Sequence, residues 1–206
     1  MQLPKLSRAL PVMALSTVLA FSVVGCKREI TRMSSDKVVD VSGKWNDTDS
    51  RLVSEEMVQD VLSRRWLGKF TKSHKGNPPT VIVGTIRNLS HEHLNTSTFV
   101  RDLEKALINS GDVEFVASAS ERNEIRSERR DQDLNASEKT RKAMGNEAGA
   151  DFMLKGTINT IIDSGSGEQV RFYQIDLTLI DLESNRKVWV GQKKIKKMVE
   201  QSGFRF

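Results

Sequence analysis

Apolar residues along this chain recur with one period in its first half and another in its last third. From Asn46 to Leu67, "NDTDSRLVSEEMVQDVLSRRWL", Val53, Met57, Val58, Val61 and Leu62 fall three and four apart, with Glu55, Glu56 and Asp60 between them. That spacing predicts one amphipathic helix. Asp47, Thr48, Asp49 and Ser50 crowd its start, where side-chain oxygens accept free backbone N–H groups. Ahead of it, Val38 to Val41 reads as a short strand. After Pro78 and Pro79, "TVIVGTI" (Thr80 to Ile86) reads as a buried strand. "STFVRDLEKALINSG" then puts Phe99, Leu103, Ala106 and Leu107 on one helical face, with Gly111 where a left-handed cap belongs. "VEFVAS" supplies a further strand, and strand-helix-strand order argues for helices packed on a sheet.

Between Ser118 and Lys142 the apolar pattern fades, leaving seven Lys or Arg against six Asp or Glu. Such balance marks a solvated helix laced with intrahelical pairs, or a face that meets a partner. A break near Leu134 and Asn135, with Ser137 as a cap, predicts a second helix running to Glu147. Beyond Asp151 the period becomes two. "DFMLKGTINTIID", "EQVRFYQIDLTLID" and "RKVWVGQKKIKK" read as strands joined by "SGSG" and "LESN" turns, and Tyr173, Ile175, Leu177 and Leu179 share one side of the middle strand. The pattern therefore predicts a single α/β domain over residues 38–198, with a tail over 199–206. Its mixed β-sheet is flanked by helices and ends in an antiparallel three-strand meander.

The N-terminus belongs to a different class of segment. Lys5 and Arg8 precede an uncharged apolar run from Leu10 to Val24, the layout of a secretory signal, too short to span a bilayer comfortably as a mature helix. It closes on Val23-Val24-Gly25-Cys26, which resembles the bacterial lipobox. The chain's one cysteine has no disulfide partner, and cleavage between Gly25 and Cys26 with lipidation of Cys26 gives it a use. Residues 1–25 are then a signal peptide and 26–37 a lipidated cysteine with a short tether. Lys27, where an aspartate would retain the protein at the inner membrane, points to the periplasmic face of the outer membrane. The eleven tether residues from Lys27 to Lys37 span about 40 Å at most.

Removing the signal leaves 181 of 206 residues, enough for one core, and lowers the formal net charge from +5 to +3. Export excludes nucleic acid as the natural partner. Phosphate headgroups, an anionic envelope polymer or an acidic protein surface fit better. Positive charge concentrates from Arg186 to Phe206, with seven Lys or Arg and one acidic residue. Lys193, Lys194, Lys196 and Lys197 either guard an exposed strand edge or form a partner surface.

Catalytic chemistry is sparse. His91-Glu92-His93 would project two imidazoles to one side of an extended chain, but zinc catalysis usually needs a third protein ligand, and only His74 remains. The acidic run at Asp47 lacks the glycine and distal glutamate of a calcium loop. No catalytic set, metal site or cofactor is expected, so the residues point away from an enzyme.

Read together, "VSGKWNDTDSRLV", "PTVIVGTIRN", "EHLNTSTFVRDLEKALINSGDVEFV", "NEAGADFMLKGTIN" and "VRFYQIDLTLIDLESNRKVWVG" resemble the LpoB family of outer-membrane lipoproteins, which activate class A penicillin-binding proteins. The resemblance runs from Val38 to Lys197. It implies a fold similar to the N-terminal domain of TolB, and a non-enzymatic function: contact with a peptidoglycan synthase that promotes glycan polymerisation and cross-linking. One departure is the tether. The best-studied members carry a long proline-rich one, whereas no proline lies here between Cys26 and Pro78. The alternative is an envelope-assembly or cell-wall-binding lipoprotein module with another partner, and the third reading is a metal-assisted hydrolase at His91 and His93.

Replacing Cys26 by serine is expected to abolish acyl labelling and release the protein from the membrane fraction. A labelled, membrane-bound Cys26→Ser protein would refute lipidation.

Overall fold

The structure, a computed structural model, describes residues 30–35, 37–142 and 144–200. A compact unit begins at Val38. Its elements are α1 (Asp47–Leu62), α2 (Arg65–Ser73), β1 (Thr80–Asn88), α3 (Thr96–Ser110), β2 (Glu114–Phe115), α4 (Ala119–Asn135), β3 (Phe152–Gly165), β4 (Glu168–Asp181) and β5 (Lys187–Glu200). The strands form one mixed sheet in the order β2-β1-β3-β4-β5, parallel across β2, β1 and β3 and antiparallel from β3 to β5. This is the α/β class, with the closing meander, that the change of period predicts.

The three meander strands are 14 residues each, and short turns join them. Gly165 pairs with Glu168, so two residues close the β3–β4 hairpin, and Gly167 supplies the positive φ of 85° that such a turn requires. At the next corner the Asp181 carboxylate accepts the N–H groups of Glu183 (3.0 Å) and Ser184 (2.8 Å). Tyr173, Ile175, Leu177 and Leu179 are buried on one face of β4, against a core that includes Val53, Met57, Val58 and Val61 of α1 and Phe99, Leu103 and Leu107 of α3. Burying each large side chain contributes about 1.5–3 kcal/mol.

The single long helix expected over Asn46 to Leu67 is broken at Ser63 and Arg64. Continuing the phase of Val58 and Val61 would turn Arg64 and Arg65 towards the core. Instead Arg64 is extended (φ −87°, ψ 158°), and the next helix starts in a new phase that buries Trp66 and brings Phe70 against the core. The Trp66 indole donates to the Val61 carbonyl at 2.7 Å and fastens the corner. At the other end Asn46, one residue before the expected acidic run, caps α1. Its side chain accepts from Asp49 N, while the Asp49 carboxylate accepts from Asn46 N.

Three further expectations change. Val38 to Val41 is not a strand but a bent segment with Val41 exposed. "VEFVAS" shortens to Glu114–Phe115, because Ser118 already caps α4. Among the described residues no helix follows Ser137, whose hydroxyl closes a turn with Thr140 instead. The charged helix α4 buries no residue. It is held through charge: Ser118 bonds Glu121 from its side chain and backbone, and with Arg101 beside it these keep the Glu121 carboxyl at about 2. Arg126 and Arg129 both grip Glu147 (2.8 and 3.3 Å) in the connection to β3.

Gly156 in β3 leaves no room for a side chain. A Cβ there would overlap the Asp176 carbonyl oxygen and the Leu177 side chain across the β3–β4 ladder. Gly156→Ala is expected to lower stability by roughly 1–3 kcal/mol in urea unfolding. An unchanged midpoint would show that the strands yield at this point.

Candidate functional site

Residues 38–46 cross the ends of β4 and β5 as an irregular strap, and side chains fix it in place of secondary structure. Lys197 of β5, only 10 % exposed, places Nζ 2.7 Å from Asp40 Oδ2, 2.5 Å from Asp49 Oδ2 and 3.2 Å from the Lys44 carbonyl. Asn46 Nδ2 donates to the Val39 carbonyl (3.3 Å). Gly43 turns with φ +64° where a Cβ would collide with Val199. The hydrogen bond from Lys197 is the largest influence on Asp40 and holds its carboxyl below the ordinary aspartate range.

Glu92 binds the other half of this end. Its carboxylate pairs with Arg171 of β4 and accepts from the Tyr173 hydroxyl (2.9 Å) and from the Trp45 backbone N–H (3.4 Å). Both ion-pair side chains are nearly buried, at 9 % exposure for Glu92 and 13 % for Arg171. Burial raises the Tyr173 hydroxyl above its ordinary pKa, and the hydrogen bond and charge of Glu92 add to the rise, so it stays a neutral donor. The Trp45 ring rests on Tyr173 (centroids 5.7 Å) and edge-on to Phe99 (6.0 Å). Asn88 Nδ2 donates to the Glu92 carbonyl (2.7 Å), shaping the loop that carries Glu92.

The His91-Glu92-His93 run therefore has its middle residue committed to the fold, with both histidines exposed beside it. Among the described residues no group of three His, Cys, Asp or Glu side chains could hold a metal ion. The lipidation and cleavage positions, Cys26 and Gly25, lie outside the described residues.

Strand alternation divides the four lysines of β5. Lys193 and Lys197 turn inward to α1 and the strap, where Lys193 pairs with Glu56 and Lys197 with Asp40 and Asp49. Lys194 and Lys196 face outward and are exposed. Sequence reasoning counted all four as surface charge, since no local signal says that carboxylates more than a hundred residues away will meet two of them. Arg171, Glu92 and Asp49 were missed as an electrostatic set for the same reason. The one available clue was Arg171 on the strand side that carries Tyr173 and Ile175, where a buried cation requires a partner.

Glu92→Gln is expected to destabilise the protein by about 3–5 kcal/mol, because the Arg171 charge stays buried without its counter-ion. Urea unfolding measures it, and the apolar pair Glu92→Leu with Arg171→Met should recover most of the loss. A Glu92→Gln protein as stable as the parent would show that water already neutralises this site.

The model of the family described as "Peptidoglycan-synthase activator LpoB" matches residues 49–195, from the first turn of α1 through most of β5. Several solved structures are similar. The LpoB C-terminal domain from Salmonella enterica is 16 % identical, with a TM-score of 0.42, and the match covers 72 % of this chain and 99 % of that one. Escherichia coli LpoB is 14 % identical with a TM-score of 0.42, over 96 % of this chain and 91 % of that one. Lipoprotein GNA1162 from Neisseria meningitidis is 13 % identical with a TM-score of 0.38, over 62 % and 88 %. A search of curated proteins returns no match. With the family model spanning well over half of its length, the chain belongs to the LpoB family of peptidoglycan-synthase activators.

Proposed function

We propose that this chain is a lipid-anchored periplasmic protein of the outer membrane that binds a class A penicillin-binding protein and raises its peptidoglycan synthesis. The family match over residues 49–195 carries the reading. The protein makes no bond itself on this view, and penicillin-binding protein and membrane are its two attachments. An activator of this kind must bind the active conformation of the synthase more tightly than the inactive one, since equal affinity for both shifts nothing. A rigid domain suits that task, because a surface that deforms would fit both conformations. Here the strap and the sheet end beside the β3–β4 turn are held by buried charge pairs and a two-residue turn.

A second reading rests on the tether. Eleven proline-free residues reach about 40 Å, which favours a partner close to the anchoring membrane, such as an envelope-assembly protein or an anionic wall polymer.

The test uses the mature chain, residues 26–206 with Cys26→Ser, to recover partners from envelope extract. It is then added at saturation to any recovered class A synthase. Glycan polymerisation is expected to rise several-fold. If no such synthase is enriched, or its rate is unchanged, activation is wrong and the second reading takes its place.

A further inference from the structure

We propose that the outward face of β3, β4 and β5, beside the β3–β4 turn, pairs with the same face of a second copy of this chain in a two-fold dimer. The proposal stands apart from the activator reading. Strand register lays out the face in rows. Glu168 pairs with Glu200 at the turn, and Val170 with Asp163 and Met198 in the next row. Phe172 then pairs with Ile161 and Lys196, and Gln174 with Asn159 and Lys194. Along the strands the face therefore runs from acidic, through apolar, to basic. Its centre is open: Ile161 is 65 % exposed and Met198 63 %, while the core lies behind the other side. One row further on, Asp176 is already held by the amides of Gln174 (2.8 Å) and Gln192 (2.7 Å).

That order selects the occupant. Opposite charges at the two ends favour neither a uniformly acidic nor a uniformly basic surface, and three carboxylates oppose an anionic lipid surface. The fitting surface has the same sequence of charge reversed, and a second copy presents it by symmetry. A two-fold axis lying in the contact plane and crossing the strands between the Val170 and Phe172 rows turns the copies antiparallel. Rows equally far from the axis then meet: Val170 with Phe172 of the second copy, and Glu200 with its Lys194, each contact made twice. The apolar stem of Lys196 lies over Met198. Asp163 stays at the margin, since β1 accompanies β3 only as far as Ile158. An axis along the strands would set Glu200 against Glu200, so charge also decides between the two arrangements.

Size sets the strength. Three strands about 4.8 Å apart and four rows about 6.7 Å apart make a contact of roughly 14 by 27 Å, below the standard size of a stable interface. The dimer is therefore weak in free solution. Copies anchored through Cys26 on tethers of about 40 Å would share a thin layer above one membrane, which raises their effective concentration.

The test is sedimentation equilibrium of the lipid-free mature chain, residues 26–206 with Cys26→Ser, up to millimolar concentration at low and high salt. A reversible monomer–dimer equilibrium is expected, weaker at high salt. Lys194→Glu alone and Glu200→Lys alone each set like charges together at both contacts and should weaken the dimer about tenfold or more at low salt. An equimolar mixture of these two variants restores opposite charges at both contacts, and should dimerise as the parent does. Lys194 and Glu200 stand about 20 Å apart on one strand, so no contact within a single chain could produce that rescue. Met198→Gln should weaken the dimer at both salt concentrations. A control with Glu128→Lys and Asp131→Lys on the solvated helix α4 should not, and all thermal midpoints should stay close to the parent. A parent that is monomeric throughout, a dimer indifferent to the face variants, or a mixture no tighter than either variant would each overturn the proposal. So would a monomeric parent whose shorter form, residues 26–200, dimerises, which would make the chain's own tail the occupant. A monomeric parent that binds purified class A synthase through Lys194 and Met198 would overturn it in favour of the synthase. Self-association is measured without synthase, so its failure leaves the activator reading standing.

Discussion

Arg171 and Lys197 face each other across β4 and β5 on the inner side of the sheet, two positive charges in directly paired positions. Like charges so placed push strands apart. Three carboxylates hold them together: Glu92 on Arg171, Asp40 and Asp49 on Lys197. None of these acids belongs to the sheet. Asp40 lies in the strap, Asp49 in the first turn of α1 and Glu92 in the loop between β1 and α3. The far end of the meander is therefore closed only when three separate parts of the chain have converged on it. Buried ion pairs of this type add little net stability over apolar packing, yet leaving one partner unpaired is costly, so their effect is to select a single arrangement.

The same alternation that creates this constraint also leaves the opposite face free. Every second residue of β4 and β5 enters the core or the charge cluster, and the residues between them point away from it. The outer side of β5 therefore presents Lys194, Lys196 and Met198 to solvent.

How much of this was legible in the sequence depends on the range of each interaction. Period-two alternation in "EQVRFYQIDLTLID" and the helical spacing of Phe99, Leu103 and Leu107 are local, and both strand and helix are found where the pattern placed them. Gly111 adopts the left-handed cap, with φ 72°. The break between α1 and α2 was missed because the apolar count over Asn46 to Leu67 satisfied one helix. The clue was phase: Trp66 and Phe70 do not continue the stripe of Val58 and Val61. The charge cluster was hidden for a different reason. Glu92 is separated from Arg171 by 79 residues and Asp49 from Lys197 by 148, and no local pattern carries a pairing over such distances. Four neighbouring lysines look alike in a sequence, and only strand pairing reveals that two are structural and two are exposed.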